Sequence, residues 1–199
     1  MNENTAEIVG RLQNGIVFNH ENEGHKLYSS FVEMERSSGT KDIIPIMIPE
    51  KLVEQALSLM TKYVNISGQI RSYKIRNDDG TYRLSLTLFA HSIHESEKST
   101  LNNIFISGNV CHDPVYRITP FGREICDIMV SVNQRNRYNH IPCIAWGDEA
   151  KRASELKFGD PISVFGRIQS RDYQKKMENG EIVTKTAYEL SAHSIETRN

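Results

Sequence analysis

The side chains best suited to chemistry in this chain lie around its single tryptophan, Trp146. Because side chains alternate across a strand, His140, Pro142, Ile144 and Trp146 share one face of the run that ends at this residue. The smaller apolar residues between them share the other face and suit a protein interior. We therefore expect Trp146 to lie on the outside, where an aromatic ring can stack on a nucleobase.

Basic and aromatic residues lie close to this run in the sequence. A single nucleic-acid strand binds where bases stack on aromatic rings and where basic groups follow the phosphates. The pattern therefore predicts an aromatic platform set among basic groups. Before Trp146 these residues are Arg135, Arg137 and Tyr138, and after it they are Arg167, Gln169, Arg171, Tyr173, Lys175 and Lys176.

The elements that must position these residues occur twice in the chain. The apolar and glycine pattern of residues 64–72 recurs 98 positions later, and the tetrapeptide AHSI at 90–93 recurs unchanged 102 positions later. A repeat of this length implies two small homologous domains placed end to end. We predict a first unit at residues 1–95 and a second unit at residues 102–199, joined by a short polar segment.

Strand patterns follow the same order in both units. Ile128, Val130 and Val132 alternate as in a half-buried strand, and the polar stretch 148–156 suits a helix. Each unit gives the order strand, strand, strand, helix, strand, strand, which is the order of an OB fold, a small Greek-key barrel. We predict an all-β protein of two tandem five-stranded OB-fold barrels, each with one helix between its third and fourth strands.

Four motifs follow one another along the second unit. They are residues 113–122 (DPVYRITPFG), 132–133 (VN), 141–147 (IPCIAWG) and 166–171 (GRIQSR), the last followed by Tyr173. In order and spacing they resemble the bacterial single-stranded DNA-binding proteins, over nearly all of the second unit. The whole chain resembles the variety of that family with two OB folds per polypeptide. The resemblance implies a protein that coats and protects single-stranded DNA in replication, recombination or repair, with little sequence preference.

The resemblance also implies roles for particular residues of the second unit. Trp146 and Tyr173 lie where the family stacks bases, and Arg117 and Arg171 lie where it places basic groups near the strand. His140 departs from the aromatic residue usual at its position, although an imidazole can also stack on a base. The predicted contacts of this unit are completed by Thr119 and Arg123.

The first unit departs further from the family. Ile43, Met47 and Pro49 occupy three of the outward positions that His140, Ile144 and Trp146 hold in the second unit, and nothing matches the motif at 113–122. We therefore expect the first unit to bind weakly or to serve assembly. Its candidate contacts are Tyr73, Lys74, Arg76, Tyr82 and Arg83, with Phe31 on an outward face.

Composition and spacing argue against several other classes of protein. Lys and Arg number 24 against 25 Asp and Glu, so no bulk charge indicates a polyanion or a membrane as partner. Cys111, Cys126 and Cys143, with His112 and His140, lack the paired spacing of a metal site or a disulfide framework. We find no nucleophile elbow, phosphate-cradling glycine loop, carboxylate pair, signal peptide or spanning apolar run. We predict a reduced, cytoplasmic protein that is not an enzyme and has no metal or cofactor.

Two further predictions concern partners. The family works with four OB folds around a common centre, so the resemblance implies that a chain with two of them forms a homodimer. Residues 194–199 lack the acidic tail through which many members recruit other proteins.

The near-neutral charge and the altered first unit favour a second function, an OB-fold protein-interaction module similar to a primosome accessory factor, with weak or no nucleic-acid binding. Trp146, Tyr173 and the four motifs favour single-stranded DNA.

Overall fold

The computed structural model describes residues 3–13, 15–77, 80–134, 137–176 and 180–198. Strands make up most of these residues. The first half contains β1 (Asn4–Leu12), β2 (Val17–Asn22), β3 (His25–Glu35), β4 (Lys41–Pro49), a short 3₁₀ helix (Glu50–Leu52), α1 (Val53–Ser58), β5 (Tyr63–Arg76) and β6 (Tyr82–Glu95). The second half contains β7 (Leu101–Val110), β8 (Val115–Ile118), β9 (Glu124–Gln134), β10 (Arg137–Trp146), α2 (Asp148–Ser154), β11 (Pro161–Lys176) and β12 (Ile182–Thr197).

Each half closes on itself as a barrel. In the first, hydrogen-bonded neighbours follow the order β3-β4-β6-β5-β1, and β1 pairs again with β3 to close the ring. In the second, the order is β7-β11-β12-β10-β9, and β7 pairs again with β9. α1 and α2 each lie between the third and fourth long strands of their barrel. The prediction of an all-β protein with two tandem OB-fold barrels is confirmed.

Each barrel also carries a short strand that the sequence analysis did not predict. β2 pairs with β3, and β8 pairs with β9, each as an antiparallel arm outside the closed ring. Every residue of these two strands is exposed. Neither segment therefore has the alternation of apolar and polar residues that marks a half-buried strand. Each unit has five long strands and one short one.

The barrel interiors are filled by the inward side chains of the alternating strands. Ile8, Ile46 and Ile70 are fully buried in the first unit, as are Val130 and Ile141 in the second. Burial of one such side chain contributes about 1.5–3 kcal/mol, so each barrel can have a core of its own. On β10 the predicted inward residues Ile141, Cys143 and Ala145 are buried and Trp146 at the strand's end is exposed, but Ile144, which was predicted to face outward, is also buried.

Two glycines that recur in both units permit close contact between strands. Gly68 and Gly166 lie at β-bulges in the β5–β6 and β11–β12 pairs. A Cβ atom at either position would collide with a carbonyl oxygen of the facing strand, that of Phe89 or of Ser191. Glycine therefore recurs at this interval for a steric reason.

The two units are joined edge to edge through their first strands, because β1 pairs antiparallel with β7. Asn4 and Asn102 occupy equivalent places on these strands. Each side chain forms a pair of hydrogen bonds with one backbone residue, Ile70 or Ile168, at 2.7–3.0 Å. The join therefore has approximate two-fold symmetry, as an isologous dimer interface would. β6 ends at Glu95 and β7 begins at Leu101, and we propose domain boundaries at 1–95 and 102–199 on either side of this join.

A second pair of contacts crosses between the units near the starts of β4 and β10. Asp42, with only 1% of its surface exposed, accepts from the Ser170 backbone N–H at 2.7 Å and from the Ser170 hydroxyl at 3.1 Å. Arg36 donates to the same carboxylate at 2.5 and 2.6 Å and to the Ser170 carbonyl at 3.1 Å. At the equivalent place, Asn139 Oδ1 accepts from the Ser72 backbone N–H at 3.1 Å. The repeated serines thus mark a symmetric junction.

Other kinds of site receive little support from the described residues. No helix among the described residues has the length and apolar character needed to cross a membrane. Within the same residues, no group of three His, Cys, Asp or Glu could hold a metal ion. Cys126 is buried, and this burial raises the pKa of its thiol to about 11, so the thiol is poorly reactive.

Candidate nucleic-acid interface

The second unit presents one outer face on which many of the predicted contacts lie. Ile144 of β10 is opposite Ser191 of β12, and Ser191 is opposite Arg167 of β11. Residues opposite each other in a ladder share a face, and alternation extends that face along each strand. This outer face carries His140 and Trp146 on β10, Gln169, Arg171, Tyr173 and Lys175 on β11, and Arg117 on β8.

Trp146 lies in a groove on this outer face, with 38% of its surface exposed. Four arginines of the second unit, Arg117, Arg123, Arg167 and Arg171, line the same groove. The open part of the indole can take a base, and planar guanidinium groups suit the flanking phosphates. We call this the Trp146 groove. Its other lining residues include Thr119, Ile125, Ile144, Gln169 and His193.

Acidic side chains already pair with several polar groups of the Trp146 groove. Arg117 donates from Nε to Asp127 at 2.7 Å, and this hydrogen bond raises the pKa of the guanidinium. Arg171 lies 3.8 Å from Glu189, which also accepts from the buried Gln169 at 2.8 Å. Ion pairs at a surface contribute only about 0–1 kcal/mol. A phosphate can therefore replace a carboxylate as the partner of Arg117 or Arg171.

Arg167 lines the Trp146 groove with part of its guanidinium unpaired. Its Nε atom is buried and has no hydrogen-bond partner in the described structure. A buried donor that stays unpaired costs about 1–3 kcal/mol. An anion in the groove would relieve this cost, which makes Arg167 a candidate contact alongside those carried over from the resemblance.

Tyr173 lies on the same outer face but does not line the Trp146 groove, whereas Arg171, two residues before it on β11, does. Tyr173 is opposite Lys185 in the β11–β12 ladder, whereas Trp146 shares its groove with His193. Lys185 and His193 are eight residues apart on β12, which corresponds to at most ~26 Å along an extended strand. The two rings predicted as one platform therefore lie at separate positions along a long face. A DNA strand that touched both would follow the arm formed by β11 and β12.

The start of β10 turns toward the first unit. Tyr138, which is 62% exposed, and His140 lie on one side of the strand. Arg137 lies on the other side, as alternation requires. Its guanidinium is 4.7 Å from the centre of the Tyr73 ring and donates to the Ser72 carbonyl at 3.2 Å. Arg137 therefore belongs to the junction between the units rather than to the Trp146 groove.

The remaining candidates of the second unit are more scattered. Thr119 and Arg123 lie at the turn between β8 and β9, where the Thr119 hydroxyl accepts from the Arg123 backbone N–H at 3.0 Å. Both border the Trp146 groove. Lys176 follows Lys175 on β11 and so lies on the opposite side of the arm. Arg135 lies outside the described residues.

In the first unit only some of the predicted residues share a groove with an exposed ring. Arg76 and Arg83 line a groove together with Phe31, which is 46% exposed. Lys74 and Tyr82 are exposed on the β5–β6 arm. In the described residues, an arginine already covers each of three rings of this unit. The pairs are Arg11 over Tyr63, Arg71 over Phe89 and Arg137 over Tyr73, at 4.4, 3.4 and 4.7 Å from the ring centres.

The sequence analysis did not name Arg71 or Phe89. The repeat pairs Arg71 with Gln169, since the two positions are 98 residues apart. That pairing was a usable signal, because it places Arg71 on the face that corresponds to the Trp146 groove. The stacking of Arg71 on Phe89 could not be read from the sequence, because it depends on the β5–β6 register across a bulge.

Comparison with known proteins relates this chain to a family. The model of the family described as "Single-strand binding protein family" matches residues 101–197. Single-stranded DNA-binding protein 2 of Listeria innocua is 30% identical over 107 residues, which cover 50% of this chain and 67% of that protein. The single-stranded DNA-binding protein of Thermus thermophilus is 36% identical over 76 residues, which cover 36% of this chain and only 29% of that protein.

Solved structures extend the likeness to both units. The wild-type single-stranded DNA binding protein from Thermus aquaticus superposes with a TM-score of 0.77 at 19% identity, over 100% of this chain and 94% of that chain. At such low identity the likeness shows a shared fold. The Listeria relative and the match across the second unit show kinship as well, and the chain belongs to the single-strand binding protein family.

Proposed function

We propose that this chain binds single-stranded DNA with little sequence preference, and that it coats and protects the strand in replication, recombination or repair. The observation that carries the proposal is the half-open indole of Trp146 in a groove lined by five arginines, four of them from the second unit. Several relatives in the family, including those of Listeria and Thermus, are named single-stranded DNA-binding proteins. Their names support the same activity here.

The proposed mechanism uses two kinds of contact. A base stacks on the exposed part of Trp146, which contributes about 1–3 kcal/mol and tolerates any base because every base has a π-face. Arg117 and Arg171 exchange Asp127 and Glu189 for phosphates of the strand, and the released counterions make binding sensitive to salt. This binding involves no covalent step, so the protein acts by binding and not as an enzyme.

The two units contribute unequally in this proposal. The second unit holds the exposed Trp146, whereas three rings of the first unit are covered by arginine. Most of the stacking energy therefore comes from residues 102–199. The first unit contributes mainly through its basic groups and through assembly.

A direct test compares an unstructured oligothymidylate with a duplex of the same length. We expect the single strand to bind more tightly, because a base must be unstacked before it can lie on Trp146. Fluorescence anisotropy of the labelled oligonucleotides at several salt concentrations would measure both affinities. Oligonucleotides of different composition should bind similarly. Absence of saturable binding at low salt would reject this function and favour the protein-interaction module.

We also propose that the chain forms a homodimer that presents four OB folds. The outer surface of the joined β1–β7 sheet carries Phe105 and Phe165, whose ring centres are 4.5 Å apart, and Phe165 is 41% exposed. A second copy packed on this surface by two-fold symmetry would cover both rings.

Light scattering should therefore report a mass near twice 22.8 kDa. Phe165→Lys should shift the protein toward the monomer, because it places a charge in the proposed apolar contact. A wild-type monomer at all concentrations that still bound DNA tightly would contradict the dimer but not the DNA-binding function.

A further inference from the structure

The repeated tetrapeptide AHSI places one histidine at the same point of each unit. His91 is the extra residue of the bulge between β5 and β6, because it falls between the paired residues Ala90 and Ser92. His193 is the extra residue of the equivalent bulge between β11 and β12. A bulge can redirect a side chain out of the regular alternation. The alanine of each tetrapeptide is buried, whereas each histidine is exposed.

Both histidines lie at the ends of one row across the middle of the joined sheet, which we call the central row. From β6 to β12, the registers place these residues opposite one another in turn: Ala90, Gly68, Ala6, Ile104, Gly166 and Ala192. His91 follows the first of them and His193 follows the last. Five strand spacings separate the two ends, which corresponds to about 24 Å.

The central row lies in a groove on the surface that we propose for the dimer. His91, His193, Phe105 and Phe165 all line this groove, which we call the central groove. A standard protein interface covers about 800 Å² of each partner, which is a patch about 28 Å across. The proposed dimer interface is therefore wide enough to include both histidines of each copy.

Two-fold symmetry determines what each histidine faces in such a dimer. The centre of the join lies between Ala6 and Ile104, and the two ends of the central row are equally far from it. Two sheets that pack face to face commonly align their strands to within about 30°. In an aligned packing, the central row of one copy lies over the central row of the other. A histidine of one copy then lies close to a histidine of its partner at each end of the row.

Protonation of these side chains opposes such a dimer. An imidazolium in the interface loses water and meets a second positive charge, whereas an uncharged imidazole does neither. Histidine is the side chain whose charge ordinarily changes between pH 5 and 8. The uncharged form is favoured in the dimer, so the copies bind protons as they separate. The dimer is therefore stable at the upper end of this range and loses stability as the pH falls.

Charged groups around the two histidines do not cancel this effect. Glu7 is the one carboxylate among the described residues that line the central groove, and Asn65 already donates to it at 2.8 Å. The repeat places Phe105 at the equivalent position of the second unit. Cations nearby oppose protonation further. Arg71 and Arg137 share a groove with His91, and Arg36, Arg117, Arg123, Arg167, Arg171 and Glu189 share one with His193. The neighbours on the same strands are His94, Glu95 and Glu196.

We propose that His91 and His193 make the dimer sensitive to pH, so that acid separates the two copies. This inference rests on the proposed homodimer. The tetrapeptide is identical in both units, although positions beside it on the same surface differ, as Glu7 and Phe105 do. Separation replaces a particle of four OB folds by two particles of two OB folds each.

The test measures the Kd of the dimer by sedimentation velocity at about pH 7.5 and about pH 5.5, on either side of the ordinary histidine pKa of about 6.5. The Kd of the wild type should rise at least tenfold at the lower pH, because one proton bound on dissociation changes Kd about tenfold per pH unit. The His91→Gln/His193→Gln variant should lose most of this rise.

The matched control is the His20→Gln/His25→Gln variant. It also removes two exposed histidines, but neither of them lines the central groove. The two double variants therefore change the net charge of the chain equally, and the control should keep the full rise in Kd. Circular dichroism at both pH values verifies that each protein is folded.

The outcomes separate this inference from the dimer itself. A wild-type dimer with the same Kd at both pH values would overturn the inference and leave the dimer in place, as would a full rise in the His91→Gln/His193→Gln variant. A wild type that is monomeric at both pH values would overturn both. If that double variant does not fold, His91→Gln and His193→Gln are measured singly. Each should then show a smaller rise than the wild type, and a full rise in both would overturn the inference.

Discussion

Replacing Trp146 with alanine is expected to weaken binding of single-stranded DNA by about 1–3 kcal/mol, which is roughly 5- to 150-fold in Kd. Trp146 is the one Trp, Tyr or Phe among the described residues that line the Trp146 groove, where four arginines of the second unit can fix the flanking phosphates. Without it the base loses its stacking surface while the charges remain. The loss should therefore be similar at low and at high salt.

The matched control is Phe158→Ala, which removes a large aromatic side chain that is 72% exposed but does not line the Trp146 groove. Its affinity should equal that of the wild type in the same anisotropy titration. Unchanged affinity in a folded Trp146→Ala protein would remove the stacking role from the account.

Replacing Asp42 with alanine is expected to lower the free energy of unfolding by about 3–5 kcal/mol, the usual effect of removing one partner of a buried ion pair. The Asp42 side chain is 1% exposed and that of Arg36 is 22% exposed. The change leaves the Arg36 guanidinium without its counter-charge and the Ser170 backbone N–H without its acceptor. Because water can still reach Arg36, we expect a value near the lower end of this range.

Urea unfolding followed by circular dichroism would measure this loss. Asp127→Ala is the control, because Asp127 pairs with Arg117 at the surface, where the two side chains are 42% and 49% exposed. Its loss should be below about 1 kcal/mol. Equal losses of unfolding free energy in the two variants would show that the Asp42 contact does not stabilise the junction between the units.

The outline of the fold could be predicted because its signals are local or repeated. Alternation determines which side of β10 Trp146 occupies, and the repeat determines that the fold occurs twice. β2 and β8 were missed because all of their residues are exposed. The contact between Asp42 and Ser170 joins residues 128 positions apart, and no local pattern encodes a pairing of that kind.

The candidate site was only partly accessible to sequence reasoning for a similar reason. The residue types of the outer face follow from alternation, but their distances depend on the ladder registers. Tyr173 and Trp146 therefore appeared as one platform, although the β11–β12 register separates them. Arg137 was expected beside Trp146, and the structure places it over Tyr73 instead. The covered rings of the first unit became visible only once Arg71 and Phe89 were placed on adjacent strands.

The most direct test of the central claim is a titration of intrinsic fluorescence with an oligothymidylate, because Trp146 is the only tryptophan in the chain. A base stacked on the indole should quench its emission. The account predicts a saturable decrease whose midpoint matches the affinity from anisotropy and which added salt reverses. Unchanged emission at oligonucleotide concentrations that saturate binding would show that the strand does not contact Trp146, and would contradict the account.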